Sequence, residues 1–312
     1  MLTKQDFIDC QRRIGPHIHN TPVLHSRLMN ELLGADVYFK CDNFQRMGAF
    51  KIRGATNAVL QLSQEQQNRG IVTHSSGNFA QAVALAGKSL GIKSYIVMPS
   101  NAPAVKKSAV IDYGGQVIDC EPTIQARETT AQQVMDETGA TFLHPYDQRE
   151  VIEGQGTAAV EFLHEHPDLQ CLLCPIGGGG LISGCALAAK HFATNCEVFG
   201  SEPQEVDDAF RSVKAGQIVT NQTTDTIADG LKTNLGELTF PVIRDQVKEI
   251  HCVTESQIAQ SMKLTWERMK IVIEPSAAVP IAAVLANPKT FKGKKIGIVI
   301  SGGNVDLANL PF

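Results

Sequence analysis

Gly177-Gly178-Gly179-Gly180 follows the apolar run CLLCPI and precedes the helix-like stretch LISGCALAAK. Consecutive glycines reach positive φ freely and can turn several N–H groups toward one point. A helix starting there adds the positive end of its dipole, which suits a phosphate. The glycines fit neither G-x-G-x-x-G, where Ile182 or Ser183 falls on the third position, nor a P-loop ending in Gly-Lys-Ser/Thr. A dinucleotide or nucleoside triphosphate is therefore not indicated. A tight strand–helix turn is the plain alternative, although four glycines exceed what a turn needs.

Lys51 stands between Phe50 and Ile52 at the start of a probable helix, in Gly48-Ala-Phe-Lys-Ile-Arg-Gly54. Apolar neighbours can desolvate the amine, lower its pKa and make it nucleophilic. Taken alone it is more often a surface lysine. Together with a phosphate site it meets the minimal requirement for pyridoxal phosphate held as a Schiff base. Ser75-Ser76-Gly77-Asn78-Phe79 runs from a strand into a helix, leaving N–H groups for a carboxylate and an amide for a ring substituent. An ordinary N-cap by Ser76 explains the same pattern. Ser301, in Ser301-Gly-Gly-Asn304, ends an apolar strand where ligands of parallel sheets gather, or merely begins a glycine turn. Glu202 and Asp208, with the Val206 carbonyl between them, offer hard oxygen ligands for Mg²⁺ or Ca²⁺, though most acidic clusters are simply solvated.

Strands and helices must alternate to bring these groups together. The pattern predicts strands at Val37–Cys41, Gly70–His74, Ser94–Met98, Gln116–Cys120, Thr141–His144, Gln170–Pro175, Glu197–Ser201, Ile250–Val253 and Lys295–Ser301. Helices are expected at Phe79–Leu90, Thr123–Thr138, Leu181–Phe192 and Glu255–Met269, with starts signalled at Ser100–Pro103 and Thr254, and a stop at Gly91. Such alternation implies an α/β fold with mostly parallel sheet covered by helices.

The 312 residues carry 28 Lys+Arg against 32 Asp+Glu, with no basic block. That balance argues against a nucleic-acid or anionic-membrane partner. The uncharged stretch 169–189 is long enough to span a bilayer, but Pro175 and the four glycines would break a lipid-exposed helix. It reads as buried strand, loop and helix. The amino terminus has no apolar core of signal-peptide length, so export is not expected. The eight scattered cysteines suit a reduced, cytoplasmic chain. Cys171-Leu-Leu-Cys174, which lacks a second pair or nearby histidines, reads as core.

Taken together, FKIRGA at 50–55, HSSGN at 74–78, the tetraglycine loop and SGGN at 301–304 resemble the fold-type II pyridoxal phosphate enzymes. Within them the chain is most similar to serine racemases and serine/threonine dehydratases. EPxxxDD at 202–208, TIADGLK at 226–232, WERMKIVIEPSAA at 266–278 and VISGGNVDL at 299–307 extend the match over nearly the whole chain.

The resemblance implies two open twisted, mostly parallel sheets of tryptophan synthase β-like type, with the cofactor in the interdomain cleft. It implies a large domain of residues 1–65 and 149–312, a small mobile domain of 66–148, and a homodimer. Lys51 would carry the cofactor and act as base, Gly177, Gly178, Gly179 and Gly180 would cradle its phosphate, and Phe50 would border its ring. Asn78 would bond the 3′-oxygen, and Ser301 would face the pyridine nitrogen. Ser75, Ser76, Gly77, Asn78 and Phe79 would grip the substrate carboxylate with Arg127, and Ser76 would deliver a proton opposite Lys51. Glu202, Val206 and Asp208 match the family's divalent-cation site, with Mg²⁺ favoured over Ca²⁺ or Mn²⁺.

The implied activity is dehydration of L-serine or L-threonine to a 2-oxo acid and ammonia, with serine racemisation beside it. Serine racemase as the main activity and 3-hydroxyaspartate dehydratase are alternatives, while Lys51 argues against a non-catalytic binding protein. Two departures stand out. Phe79 replaces the histidine that commonly follows SSGN, and the chain stops soon after SGGN, so isoleucine-type feedback is not expected.

Overall fold

A computed structural model of the chain describes residues 2–312. Among these residues, ten strands form two separate sheets. The larger has the order β1 (Val23–His25), β2 (Asp36–Cys41), β10 (Lys295–Ile300), β7 (Cys171–Pro175), β8 (Glu197–Pro203), β9 (Val247–Val253). The smaller has the order β5 (Gln116–Cys120), β4 (Ser94–Pro99), β3 (Ile71–His74), β6 (Thr141–Phe142). Every strand pairing is parallel except β1 on β2. The expected two-sheet α/β architecture is thus present.

Alternation along the strands feeds a different core on each face of the large sheet. Cys171, Leu173, Ile296 and Ile298 pack with the Pro275–Ala286 helix. Leu172, Cys174, Val198 and Val299 pack with the Arg149–Glu165 and Gly180–Phe192 helices. Cys171 and Cys174 therefore lie in separate cores, as buried thiols whose pKa burial raises. On the small sheet, Ile71, Ile96 and Met98 share a core with the Lys51–Leu60 and Asn78–Leu90 helices. The uncharged stretch 169–189 is β7, the glycine loop and a buried helix, and no helix of the described residues is long and apolar enough to cross a membrane.

Several local expectations change. The edge strand β1 was not expected, because three residues carry too little periodicity to register. The strand expected at Thr141–His144 ends at Phe142, because the His144 ring turns the chain instead: its Nδ1 accepts from the N–H of Tyr146 and Asp147. The helix after Ser100 begins only at Ala104, behind Pro103, with no side-chain cap. Thr254 does form a capping box, and Gly91 closes its helix in the left-handed region at φ +70°.

Candidate active site

The carboxyl ends of both sheets face one cavity of about 1280 Å³. Phe50, Lys51, Ser75 to Phe79, Arg127, Gly177 to Gly180 and Ser301 all line it. The residues singled out from the sequence for a cofactor and substrate therefore converge, although they come from widely separated parts of the chain.

Lys51 opens the Lys51–Leu60 helix, whose start is tied to the end of β10. Phe50 N–H donates to the Ser301 carbonyl at 2.9 Å, and Ala49 bridges Gly302. Two residues on, the Arg53 guanidinium donates to Asp42 and Glu161 deep in the core, which fixes the helix from behind. Lys51 is half-buried because one flank meets the cavity, yet protein surrounds the amine closely. Its Nζ lies 5.1 Å from the Phe50 ring centre and 5.5 Å from that of Phe79, and it donates to the Pro145 carbonyl at 2.7 Å. Desolvation pushes its pKa down to about 8, against the pull of the Glu274 carboxylate. It is a lysine poised to lose its proton near neutrality.

Glu274 is a functional residue that sequence reasoning passed over. It lies next to Pro275 at a helix start, where an acid and a proline look like ordinary helix signals. Its carboxylate caps nothing there. Instead Asn78 Nδ2 donates to both of its oxygens at 3.0 and 3.1 Å, while Asn304 Nδ2 donates to Asn78 Oδ1 at 2.9 Å. The Asn78 amide is thereby locked in one orientation. Burial pushes the Glu274 carboxyl up to about 8, with Asp229 adding and the Asn78 bond opposing.

Ser76 does not cap the Asn78–Leu90 helix. The N-cap is Gly77, and no side chain bonds the first turn. The positive end of that helix is open to an anion. Arg127 comes from the Ile124–Thr138 helix, and its buried Nε has no partner. His74 and His144 also line the cavity, and burial lowers the pKa of both, that of His144 to about 4.

The glycine loop needs its composition. Gly179 has φ +86°, in the left-handed region. A Cβ on Gly178 would stand 2.3 Å from the Tyr146 ring. Tyr146, like Glu274, gave no signal in the sequence, because its importance is a matter of what it packs against.

Glu202, Val206 and Asp208 lie outside the cavity lining, at the end of β8 and the start of the Asp208–Ala215 helix. Glu202 accepts from the N–H groups of Ala209 and Phe210, and Asp208 from Leu235 N–H and Asn221 Nδ2. Both carboxyls are fully buried, and burial raises the pKa of both, that of Asp208 to about 6. The negative charge of Asp208 pushes Glu202 up further.

The pyridoxal-phosphate dependent enzyme family matches residues 14–302 of the sequence. The chain belongs to that family. It is 46% identical to a β-hydroxyaspartate dehydratase of Paracoccus denitrificans, over 99% of this chain and 98% of the relative. Among solved structures, maize serine racemase superposes with a TM-score of 0.95 at 45% identity, covering 97% of this chain and 94% of that one. The serine racemase of Dictyostelium discoideum superposes with a TM-score of 0.93 at 45% identity, covering 98% and 99%. A bacterial-type relative, the T.th. threonine deaminase, gives a TM-score of 0.94 at 39% identity, covering 99% and 100%. The cavity fits the family's cofactor. Its loop leaves no room for Cβ atoms at Gly178 and Gly179, and it faces the same space as a lysine whose amine is desolvated.

Proposed function

We propose that this chain is an ammonia-lyase for small hydroxy amino acids, taking L-serine or L-threonine to the 2-oxo acid and ammonia, with serine racemisation at the same site. The observation that carries the reading is the shared cavity, which joins the desolvated Lys51, an uncapped helix start at Ser75–Phe79 and the glycine loop. When bound, pyridoxal phosphate supplies an electron sink for charge that develops at the substrate Cα. Gly177 to Gly180 bind its phosphate through backbone N–H groups, Phe50 borders its ring, and Asn78, held by Glu274 and Asn304, orients it. Ser301 offers a neutral hydroxyl toward the ring nitrogen, which leaves that nitrogen uncharged. A weaker sink favours substrates with a leaving group at Cβ, and loss of water follows.

The N–H groups of Ser75 to Phe79 and the Arg127 guanidinium hold the substrate carboxylate. Lys51 removes the Cα proton, and Ser76 returns one from the opposite side during racemisation. Residues 66–148, with the small sheet, form a mobile domain that closes over the cavity against residues 1–65 and 149–312. Glu202, Asp208 and the Val206 carbonyl fit a divalent cation, Mg²⁺ in this reading, because a cation would offset two buried carboxylates that lack a cationic side-chain partner among the described residues. A cytoplasmic homodimer completes the proposal.

Arg127 supports a second reading. Its unpaired buried Nε could receive a side-chain carboxylate, as a 3-hydroxyaspartate dehydratase needs. One assay separates the readings: the holoenzyme is given L-serine, L-threonine and 3-hydroxyaspartate, and 2-oxo acid and D-serine are followed together. Oxo acid from serine or threonine supports the lyase, and turnover of 3-hydroxyaspartate alone favours the second reading. Ser76→Ala should keep oxo-acid formation and lose D-serine; a variant that still makes D-serine removes Ser76 from its role.

A further inference from the structure

The turn His144–Gln148 carries the chain from β6 into the Arg149–Glu165 helix and meets the cavity at several points. Its shape is set internally. Tyr146 N–H and Asp147 N–H both donate to His144 Nδ1, at 3.3 and 2.8 Å, and His144 N–H donates to Gln148 Oε1 at 3.0 Å. The Pro145 carbonyl faces Lys51 Nζ, and Tyr146 lies on the glycine loop, its Cα 3.0 Å from where a Cβ of Gly180 would stand.

Asp147 reaches further. Its carboxylate accepts from three consecutive N–H groups, Glu237 at 3.0 Å, Leu238 at 2.8 Å and Thr239 at 3.2 Å, at the start of the Thr239–Gln246 helix. A Cβ on Gly236 would stand 2.1 Å from Asp147 Cγ, so only glycine there lets the carboxylate seat. The tie then continues into the loop. Thr239 Oγ1 donates to the Gly178 carbonyl at 2.9 Å and accepts from Gly236 N–H at 2.9 Å. The Gly178 carbonyl and the Gly179 N–H belong to one planar trans peptide and point in opposite directions. Holding that carbonyl on Thr239 therefore fixes where the Gly179 N–H points.

We propose that Asp147 is a positioning residue for the cofactor phosphate, holding Glu237–Thr239 so that Thr239 sets the orientation of the Gly178–Gly179 peptide. This rests on the reading that Gly177 to Gly180 hold the phosphate. Asp147 touches no reacting atom in this scheme; it acts through Thr239 on the loop.

The test compares pyridoxal phosphate with pyridoxal, which lacks the phosphate, by titrating each into apoprotein and following the Schiff-base absorbance. Asp147→Ala and, separately, Thr239→Val should cut the preference for the phosphorylated form by about tenfold, the scale expected for losing charge-assisted or buried hydrogen bonds. Asp147→Asn, which keeps one acceptor oxygen, should fall between wild type and Asp147→Ala. A general structural defect weakens both ligands alike and leaves their ratio unchanged, so an unchanged ratio in Asp147→Ala and Thr239→Val overturns the proposal. Gly179→Ala separates that failure from a failure of the phosphate reading. If Gly179→Ala loses the preference while the other two keep it, only the role of Asp147 falls. If Gly179→Ala also keeps it, the glycine loop does not hold the phosphate, and the proposal falls with that reading.

Discussion

The desolvated amine of Lys51 makes a sharp prediction about cofactor uptake. Schiff-base formation needs the neutral amine, and the lysine pKa stands at about 8 rather than at the ordinary 10.5. Because the folded value is depressed, the free amine accumulates as pH rises and is essentially complete about one to two pH units above 8. Between pH 8 and 10 the free fraction goes from about one half to nearly all, so the rate of uptake should rise only about twofold. An ordinary lysine would gain roughly 75-fold over the same interval. At pH 7 the same difference leaves about one amine in ten free instead of roughly one in 3000. The assay is stopped-flow absorbance of apoprotein mixed with pyridoxal phosphate, each rate divided by that of a model amine so that the cofactor's own ionisations cancel. Glu274→Gln removes the negative charge that favours the ammonium form and should move the midpoint to lower pH. A rate that still climbs about tenfold per pH unit above pH 9 refutes the desolvation argument. A midpoint that moves up in Glu274→Gln would sink the account of that carboxylate.

Two further perturbations test the framework around the site. The Arg53 side chain is wholly buried against Asp42 and Glu161, with bonds of 2.7 to 2.9 Å, so Arg53→Met leaves carboxylates unpaired and should cost about 3–5 kcal/mol in denaturant unfolding; an unchanged midpoint would show that the network is not what fixes the Lys51 helix. Mg²⁺ at about a hundredfold excess over its dissociation constant should stabilise metal-free protein by about 2.7 kcal/mol, read as a higher thermal midpoint. Asp208→Asn should abolish that response, and a response that survives moves the cation elsewhere.

Much of the site is legible in the sequence because each piece is local. A run of four glycines between an apolar strand and a helix announces an unusual backbone whatever surrounds it. Lys51 between two apolar residues announces an amine that burial can alter, and Phe50, Ser76, Asn78 and Ser301 stand at strand or helix ends that α/β topology sends to one side. Helix limits set by side-chain chemistry are legible too, as at Thr254. Glu274 and Asp147 give no such signal. Each is an acid near a helix start, the commonest place for one, and its meaning comes from partners 196 and about 90 residues away.

Local sequence was enough for the alternation of strands and helices, the glycine loop and the candidate lysine, since propensity, periodicity and backbone freedom act over a few residues. Packing in three dimensions settled which strands join which sheet, why the strand at Thr141 stops at Phe142, and how far the Lys51 pKa falls. Those outcomes depend on burial and on charges such as Glu274. Burial is a property of the packed chain, and no local pattern contains it.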